Sequence, residues 1–252
     1  MVDLFYQKFT EELKMTLKVA SFNIYHCEDF YNQKIDFDAF AELIKSLDAD
    51  IIGLNEVHGK GDDEEYTAQT EELAVRLGYN GFFAKATDID GNNPFGNAVL
   101  TRKAIKSLEV IPIPDPEPKT GSELYETRCL LKMELTEPEL TVLITHFGLN
   151  HDEHINAVKT VLANCKNERC IFMGDLNVRP ENNVLDPIRK VFTDSASVSD
   201  KALLTYPADV PNRKIDYIFA TPDIKILSVD VPEKILSDHL PITAEIEIAD
   251  GD

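Results

Sequence analysis

The sequence predicts an α/β fold in which layered β-sheets are covered by helices. Three observations predict it. Helix-periodic and strand-like segments alternate along the chain. Several strand candidates, DIIGL (residues 50–54), TVLIT (141–145) and CIFM (170–173), are apolar almost throughout. A sheet with one wet face would alternate instead, so these strands are covered on both sides. Finally, 252 residues with 43% apolar content can bury a deep core, as one large domain or two small ones.

The elements follow in order. Thr16 to Ile24 reads as the first strand. Phe37, Phe40, Leu43, Ile44 and Leu47 recur at helical spacing, which predicts an amphipathic helix over Asp36 to Leu47. Asp50 to Leu54 is a short buried strand. Beyond a solvated GDDEE loop (61–65), Thr67 to Leu77 reads as a second helix, with Gly78 placed to cap its C-terminus. Tyr79 to Ala86 and Asn97 to Thr101 are strands flanking a Gly/Asn/Pro loop. IPIPDPEPKTG (111–121), with four prolines, is a loop or rigid crossover. Arg128 to Glu134 and Leu140 to His146 are strands joined by a turn at Glu137-Pro138. Asp152 to Cys165 is a helix, with Asn150 and Glu153 spaced as a capping box. Arg169 to Met173, Ile215 to Ala220, Ile224 to Val229 and Ile242 to Ile248 complete the set.

Charge and composition narrow the function. Lys plus Arg is 25 and Asp plus Glu is 45, a net charge of −20. Sequence-independent nucleic-acid binding needs a basic surface that displaces phosphate counterions, so long duplex DNA is disfavoured as a partner. The only local basic candidates are RKAIK (102–106) and NRK (212–214). Cys27, Cys129, Cys165 and Cys170 form no C-x2-C pair, which argues against a disulfide framework or a zinc knuckle. The opening MVDLFYQKFTEELKM does not read as a signal peptide, and no run approaches the roughly 18 apolar residues of a membrane span. A cytoplasmic location is the expectation; oligomeric state is left open.

The chemistry sits at strand ends. VASFN ends at Asn23, IIGLNE at Glu56, LTVLITH at His146 and CIFMGDLN at Asp175 and Asn177. KIDYIF starts with Asp216, and SDHLPITAEI starts behind Asp238 and His239. If the first four strands run one way and the last two run against them, these groups collect at one rim. Oxygen-rich ligation there suits a hard cation, Mg2+ or Mn2+, which offsets carboxylate repulsion. A metal, donors for an oxyanion and a carboxylate to orient water describe hydrolysis of a phosphate ester.

SFN, LNEV, ITHFGL, GDLN, IDYIF and SDHLP resemble, in order, the signature motifs of the endonuclease/exonuclease/phosphatase superfamily, the deoxyribonuclease-I-like fold. The resemblance runs from about Val19 to about Ile248. It implies a four-layered α/β/β/α sandwich with two mixed β-sheets. It places a single catalytic domain over residues 16–250 behind an N-terminal extension of residues 1–15. It also implies roles. Glu56 is the main metal ligand, with Asn23 beside it and Asp238 on the metal side. Asp175 positions or deprotonates the attacking water, and Asn177 holds the phosphate. His239, oriented by Asp216, faces the phosphate, and His146 donates to a non-bridging oxygen. Either Asp175 or His239 is the general base. The family's second motif commonly reads QE; here it is Asn55-Glu56, which keeps the carboxylate and changes its surroundings.

Other readings remain beside these. Arg128 is a phosphate contact or an ordinary ion-pair partner. His151 and His154 read as a solvated helix N-terminus rather than a second metal site. His26 and His58 have no assigned role. The expected substrate is a small phosphodiester, a phosphomonoester or a lipid headgroup, and Leu4, Phe5, Tyr6 and Phe9 leave weak membrane docking open. The alternatives are a nuclease acting on short or single-stranded nucleic acid, and a non-catalytic binding module with the same fold.

Overall fold

The computed structural model describes residues 14–249. The possible docking residues Leu4, Phe5, Tyr6 and Phe9, and most of the predicted extension, lie outside them. The first sheet has the order β11-β12-β1-β2-β4-β3, and the second β5-β6-β7-β8-β10-β9. In the first, β1 (Lys14–Asn23) and β2 (Ile51–His58) are parallel, joined through helix α1 (Phe37–Leu47). In the second, β7 (Leu140–Thr145) and β8 (Cys170–Asp175) are parallel, joined through α3 (His151–Asn164). Parallel neighbours need such a crossover, whereas the remaining pairs are antiparallel.

Each doubly apolar strand feeds two cores. On β8, Ile171 and Met173 face the space between the sheets, where they meet Val19, Val99, Ile144 and Ile246. The alternate residues Cys170 and Phe172 face outward, against Ala157, Val158 and Val161 of α3. The first sheet does the same: Leu17 and Val19 point inward, while Ala20 and Phe22 pack on Phe40, Leu43 and Ile44 of α1. Helix α2 (Gln69–Leu77) adds Leu73 to that outer layer. The result is helix, sheet, sheet, helix. A side chain period of two, with both faces covered, is why the sequence shows unbroken apolar runs rather than alternation.

Helices α1, α2 and α3 are capped, the last two as predicted. Asp36 accepts from the Ala39 N–H at 2.9 Å, Gly78 ends α2 at φ +68°, and Glu153 accepts from the Asn150 N–H at 3.0 Å. Strand β1 opens at Lys14, ahead of the predicted Thr16. β3 (Asn80–Ile89) and β4 (Asn93–Thr101) form a hairpin much tighter than the predicted loop. The sequence missed β5 (Ile105–Pro112), which takes the first two residues of the proline-rich segment. β5 is the edge of its sheet, where a half-exposed, irregular pattern and a terminal proline are tolerated. It pairs with β6 (Cys129–Leu135). The four-residue α4 (Asp186–Arg189) and the two-residue β9 (Thr193–Asp194) were also missed, being too short to carry a period. The last strands are β10 (Asp216–Ala220), β11 (Lys225–Asp230) and β12 (Ile242–Ala249).

At the rim the backbone leaves no room for side chains. Gly174 lies at φ +150°, and a Cβ there would fall inside the Thr145 carbonyl. That conformation is open essentially to glycine alone. Gly174→Ala therefore forces β7 and β8 apart, with an expected loss of about 3 kcal/mol or more in urea unfolding. A loss within about 0.5 kcal/mol, the range of a neutral surface change, would contradict this packing.

Candidate active site

Strand direction brings the strand-end residues together. β1 with β2, and β7 with β8, finish at the same rim, while β10 and β12 run against them and begin there. In register, Asn23 stands beside Asn55 and Asp216 opposite Asp175. The loop entering β12 is fastened to the end of β1 by Ser237, whose Oγ donates to the Asn23 carbonyl at 2.7 Å. The His239 N–H donates to the same oxygen, Ser237 Oγ, at 3.2 Å.

The side chains form one network. The Asn23 amide nitrogen donates to Glu56 Oε1 at 3.0 Å and, across the two sheets, to Asp175 Oδ2 at 3.1 Å. Its oxygen accepts from the Tyr25 N–H. His239 lies between two carboxylates: Nδ1 donates to Asp216 Oδ2 at 2.9 Å, and Nε2 is 3.6 Å from Asp175 Oδ2. His146 Nε2 approaches the same Asp175 oxygen at 3.5 Å and the Asn177 amide nitrogen at 3.0 Å. The Asn177 N–H donates to Asp175 Oδ1 at 2.9 Å. Asp238 flanks this network, its Oδ1 lying 3.1 Å from Ser237 Oγ. Glu56 enters through a β-bulge between Leu54 and Val57 at φ +55°, which re-aims the strand's side chains.

Burial sets the electrostatics. Burial raises Glu56 above the usual carboxylate range; the Asn23 N–H opposes this and Asp238 reinforces it. Asp175 is pushed up to about 7, chiefly by burial, against the pull of His239. Burial alone would depress His239, but Asp216 and Asp175 outweigh it and push it up to about 10. His146 goes the other way: burial, then the charges of Arg128 and His239, hold it well below the ordinary imidazole range.

Among the described residues, Asp175, Asp216 and His239 are the metal-binding types whose ligand atoms converge within 4.8 Å. Both ring nitrogens of His239 already face carboxylates there. Glu56, with Asp238 beside it, provides the less occupied oxygen donors. Asp216 Oδ1 is buried without a partner among the described residues.

Some residues fall elsewhere. Arg128 is buried, its guanidinium on Glu126 Oε2 at 2.7 Å and His146 Nδ1 at 3.2 Å. His26 and His58 stack on each other, and His58 on Tyr66, outside the network. His154 is not solvated: it is buried, with Nε2 donating to the Gly148 carbonyl at 2.8 Å.

The sequence reading missed the clamp beneath the site. Asn55 is fully buried between the sheets. Its oxygen accepts from the Asp175 N–H at 2.9 Å; its nitrogen donates to the Thr145 carbonyl at 3.1 Å and to Asn97 Oδ1 at 2.7 Å. Asn97 donates onward to the Cys129 carbonyl at 3.1 Å. The available signal was an amide inside each of two apolar strands, which is costly unless hydrogen-bonded.

The model of the Endonuclease/Exonuclease/phosphatase family matches residues 20–239. The chain belongs to that family. Several solved structures share the fold of this endonuclease/exonuclease/phosphatase family member. An endonuclease/exonuclease/phosphatase from Beutenbergia cavernae is 22% identical, over 93% of this chain and 72% of that one, with a TM-score of 0.76. The mannosyl-6-phosphatase of Bacteroides thetaiotaomicron is 19% identical over 91% and 99% of the two chains, with a TM-score of 0.71. The human Nocturnin catalytic domain with a bound sulfate anion is 18% identical over 94% and 96%, with a TM-score of 0.67. No curated protein matches the sequence. Family members are generally hydrolases of phosphoester bonds, and many depend on divalent metals. Among the described residues no helix is long and apolar enough to cross a membrane.

Asn55→Ala leaves the Asp175 N–H, the Thr145 carbonyl and Asn97 Oδ1 unpaired in the interior. We expect a loss of about 2–4 kcal/mol in chemical unfolding. A loss below about 1 kcal/mol would show that these groups find other partners.

Proposed function

We propose that this protein is a divalent-metal-dependent hydrolase of small phosphate esters, using in-line attack of water. One observation carries the reading. Asp175 is contacted by Asn23, His146, Asn177 and His239 together, so a carboxylate, two imidazoles and two amides converge on one place from both sheets.

The residues fit a hard cation. Their available donors are mostly carboxylate oxygens, and the buried carboxylates carry a charge that burial disfavours. Glu56, with Asp238 beside it, would hold Mg2+ or Mn2+, whereas Asn23, the other ligand expected from the sequence, meets Glu56 through its amide nitrogen and gives its oxygen to the Tyr25 N–H. When bound, the ion supplies positive charge to the phosphate oxygens.

The chain's own groups do the rest. His239 keeps its proton at neutral pH, because its carboxylate partners hold it near 10. It therefore serves as a fixed positive charge facing the phosphate rather than as the base. Asp216 holds that proton in place through Nδ1. Asp175, near 7, is the remaining base: it orients water and takes its proton as the water oxygen bonds to phosphorus and the ester P–O bond breaks. His146 and Asn177 donate to the phosphate oxygens.

Small substrates are favoured because three of the five cations in the basic stretches are paired with carboxylates, while Arg213 lies over the Tyr206 ring beside His239. Arg102 pairs with Asp48, Lys103 with Asp50, and Lys214 is buried against Asp194. A phosphatase and a sulfate-bound catalytic domain stand among the structural neighbours.

The deciding experiment is a panel of bis-p-nitrophenyl phosphate, inositol phosphates, sphingomyelin and single- and double-stranded DNA, with Mg2+, Mn2+ or a chelator. Asp175→Asn should lower turnover by about 10²–10⁴-fold and leave the fold intact. Equal turnover by wild type and Asp175→Asn would overturn the mechanism. Preference for DNA would support the nuclease alternative.

The pKa shifts also predict a pH-dependent cation effect. Asp175 is raised from an ordinary 3.8, so its contribution to stability is lost as pH climbs toward 7. His239 is raised from 6.5, so its contribution is lost as pH climbs through about 10. Both weaken the cation-free fold as pH rises, and a cation competes with protons for the same carboxylates. Saturating Mg2+ should raise Tm more at about pH 8 than at about pH 5. An equal or reversed increment in a thermal melt would count against metal binding here.

A further inference from the structure

We propose that Arg128 is a positioning residue that locks His146 into the tautomer carrying its proton on Nε2. The use of that proton rests on the phosphoesterase reading above; the lock itself rests on hydrogen-bond geometry.

Arg128 Nη1 lies 3.2 Å from His146 Nδ1. A guanidinium has only N–H donors, accepts nothing and does not deprotonate in a protein. In this contact the imidazole must therefore accept, and it accepts through the Nδ1 lone pair. A neutral ring with its lone pair on Nδ1 carries its hydrogen on Nε2. The opposite tautomer, or the cation, would set one N–H against another.

Arg128 is held where it stands. Its side chain is 7% exposed, Nη2 donates to Glu126 Oε2 at 2.7 Å, and the guanidinium lies 6.0 Å from the centre of the Phe95 ring. Its Nε is buried and has no partner among the described residues. The contacts with Glu126 and His146 are thus its polar attachments.

The two imidazoles of the site are wired in opposite senses. Asp216 accepts from His239 Nδ1 and retains a proton there. Arg128 donates to His146 Nδ1 and excludes one. His239 is then a charged donor and His146 a neutral one, with Nε2–H aimed at the Asp175 and Asn177 side.

The Asn177 amide is the contact this tautomer leaves unsatisfied, because it meets Nε2–H donor to donor. Its nitrogen lies 3.0 Å from His146 Nε2 and donates to the Phe147 carbonyl at 3.2 Å. Turning the amide would place its oxygen against that carbonyl. With the proton on Nε2, His146 and Asn177 both offer N–H, and one oxygen atom accepting from both satisfies them. A non-bridging phosphate oxygen is such an acceptor. Arg128 thus acts through His146 and need not touch substrate.

The test is long-range 1H–15N NMR of the full chain with 15N-labelled histidine, at about pH 7.5, with His146 assigned by loss of its signals in His146→Gln. The two neutral tautomers and the cation give different 15N shift patterns. Wild type should show the Nε2–H form. Arg128→Met should show a mixture or the Nδ1–H form, and Arg128→Lys, which keeps a cationic donor, should return it toward Nε2–H. On a substrate found in the panel, Arg128→Met should lower kcat by about 10–100-fold, the usual cost of losing an orienting partner, with KM little changed. An Nδ1–H or doubly protonated His146 in wild type overturns the proposal. So does a wild-type pattern in Arg128→Met. If Arg128→Met does not fold, the wild-type and Arg128→Lys spectra decide. Absence of turnover on every substrate would defeat the phosphoesterase reading, while the tautomer result would stand or fall by itself.

Discussion

The site depends on one constraint: two sheets held apart by an apolar core must bring their rims into polar contact. Along most of their facing surfaces the sheets meet through Val, Ile and Met side chains, which fix spacing but not direction. At the rim, Asn55 supplies direction. It takes the Asp175 N–H from one strand of the second sheet and gives its own hydrogens to the Thr145 carbonyl of the neighbouring strand and to Asn97 of its own sheet. Glu56 is the next residue after the clamp, and His146 the next after Thr145. Fixing one amide therefore fixes the carboxylate of one sheet against the carboxylate and imidazole of the other. Gly53 lies one turn of the pleat behind, where a Cβ would meet Ile144 and Met173 at 3.1–3.2 Å. The absence of a side chain there permits the close approach that Asn55 then exploits.

That geometry gathers more negative charge than a dry interior tolerates. Each carboxylate loses hydration energy, and neither Asn23 nor Asn177 brings countercharge. The structure offsets the cost unevenly. Asp216 and Asp175 share the proton-bearing His239, whereas among the described residues Glu56 and Asp238 have no cationic partner in hydrogen-bond contact. The uncompensated charge thus lies on the Glu56 side, and that asymmetry orients the site. A cation would be drawn to one side, while the two imidazoles stand on the other.

How much of this could be read from the sequence follows from how local each cause is. The doubly apolar strands gave the layers, because burial on both faces leaves a pattern within five residues. The strand-end polar residues gave the rim, because an Asp or His following an apolar run has few structural uses. Strand direction is not local, yet the placement of Asp216 and Asp238-His239 at the beginnings of strands already implied reversal. β5 was invisible because an edge strand is only half buried and its alternation is broken by Pro112. The role of Asn55 was invisible for a different reason. Beyond the Asn97 side chain, its partners are a backbone N–H 120 residues away and a carbonyl 90 residues away, and backbone groups leave no mark in a sequence. Arg128 was legible as a basic residue near the site, but not as a partner of His146, since that requires β6 and β7 to lie side by side.

Backbone strain shows where the fold gives up stability to hold these groups. Glu56 at φ +55°, Asn177 at φ +50° and Gly174 at φ +150° occupy the ends of strands that carry the site, and Tyr25, His26 and Cys27 turn through φ +43° to +60° directly behind Asn23. Non-glycine residues in this region cost about 1–3 kcal/mol each. Relaxing any of them would move the strain away from the rim, but it would also rotate the side chain it carries. The bulge at Glu56 is the clearest case. Continuing β2 without the extra residue would send Glu56 to the other face of the sheet, because strand side chains alternate. The strained turn is what lets Asn55 point between the sheets while its neighbour Glu56 still reaches the rim. Gln33, Asp48, Asp90, Arg169 and Leu203 take similar φ values elsewhere, so strain is not confined to the rim, but at Glu56 and Asn177 it brings groups from both sheets to one point, and the apolar cores have to supply what it costs.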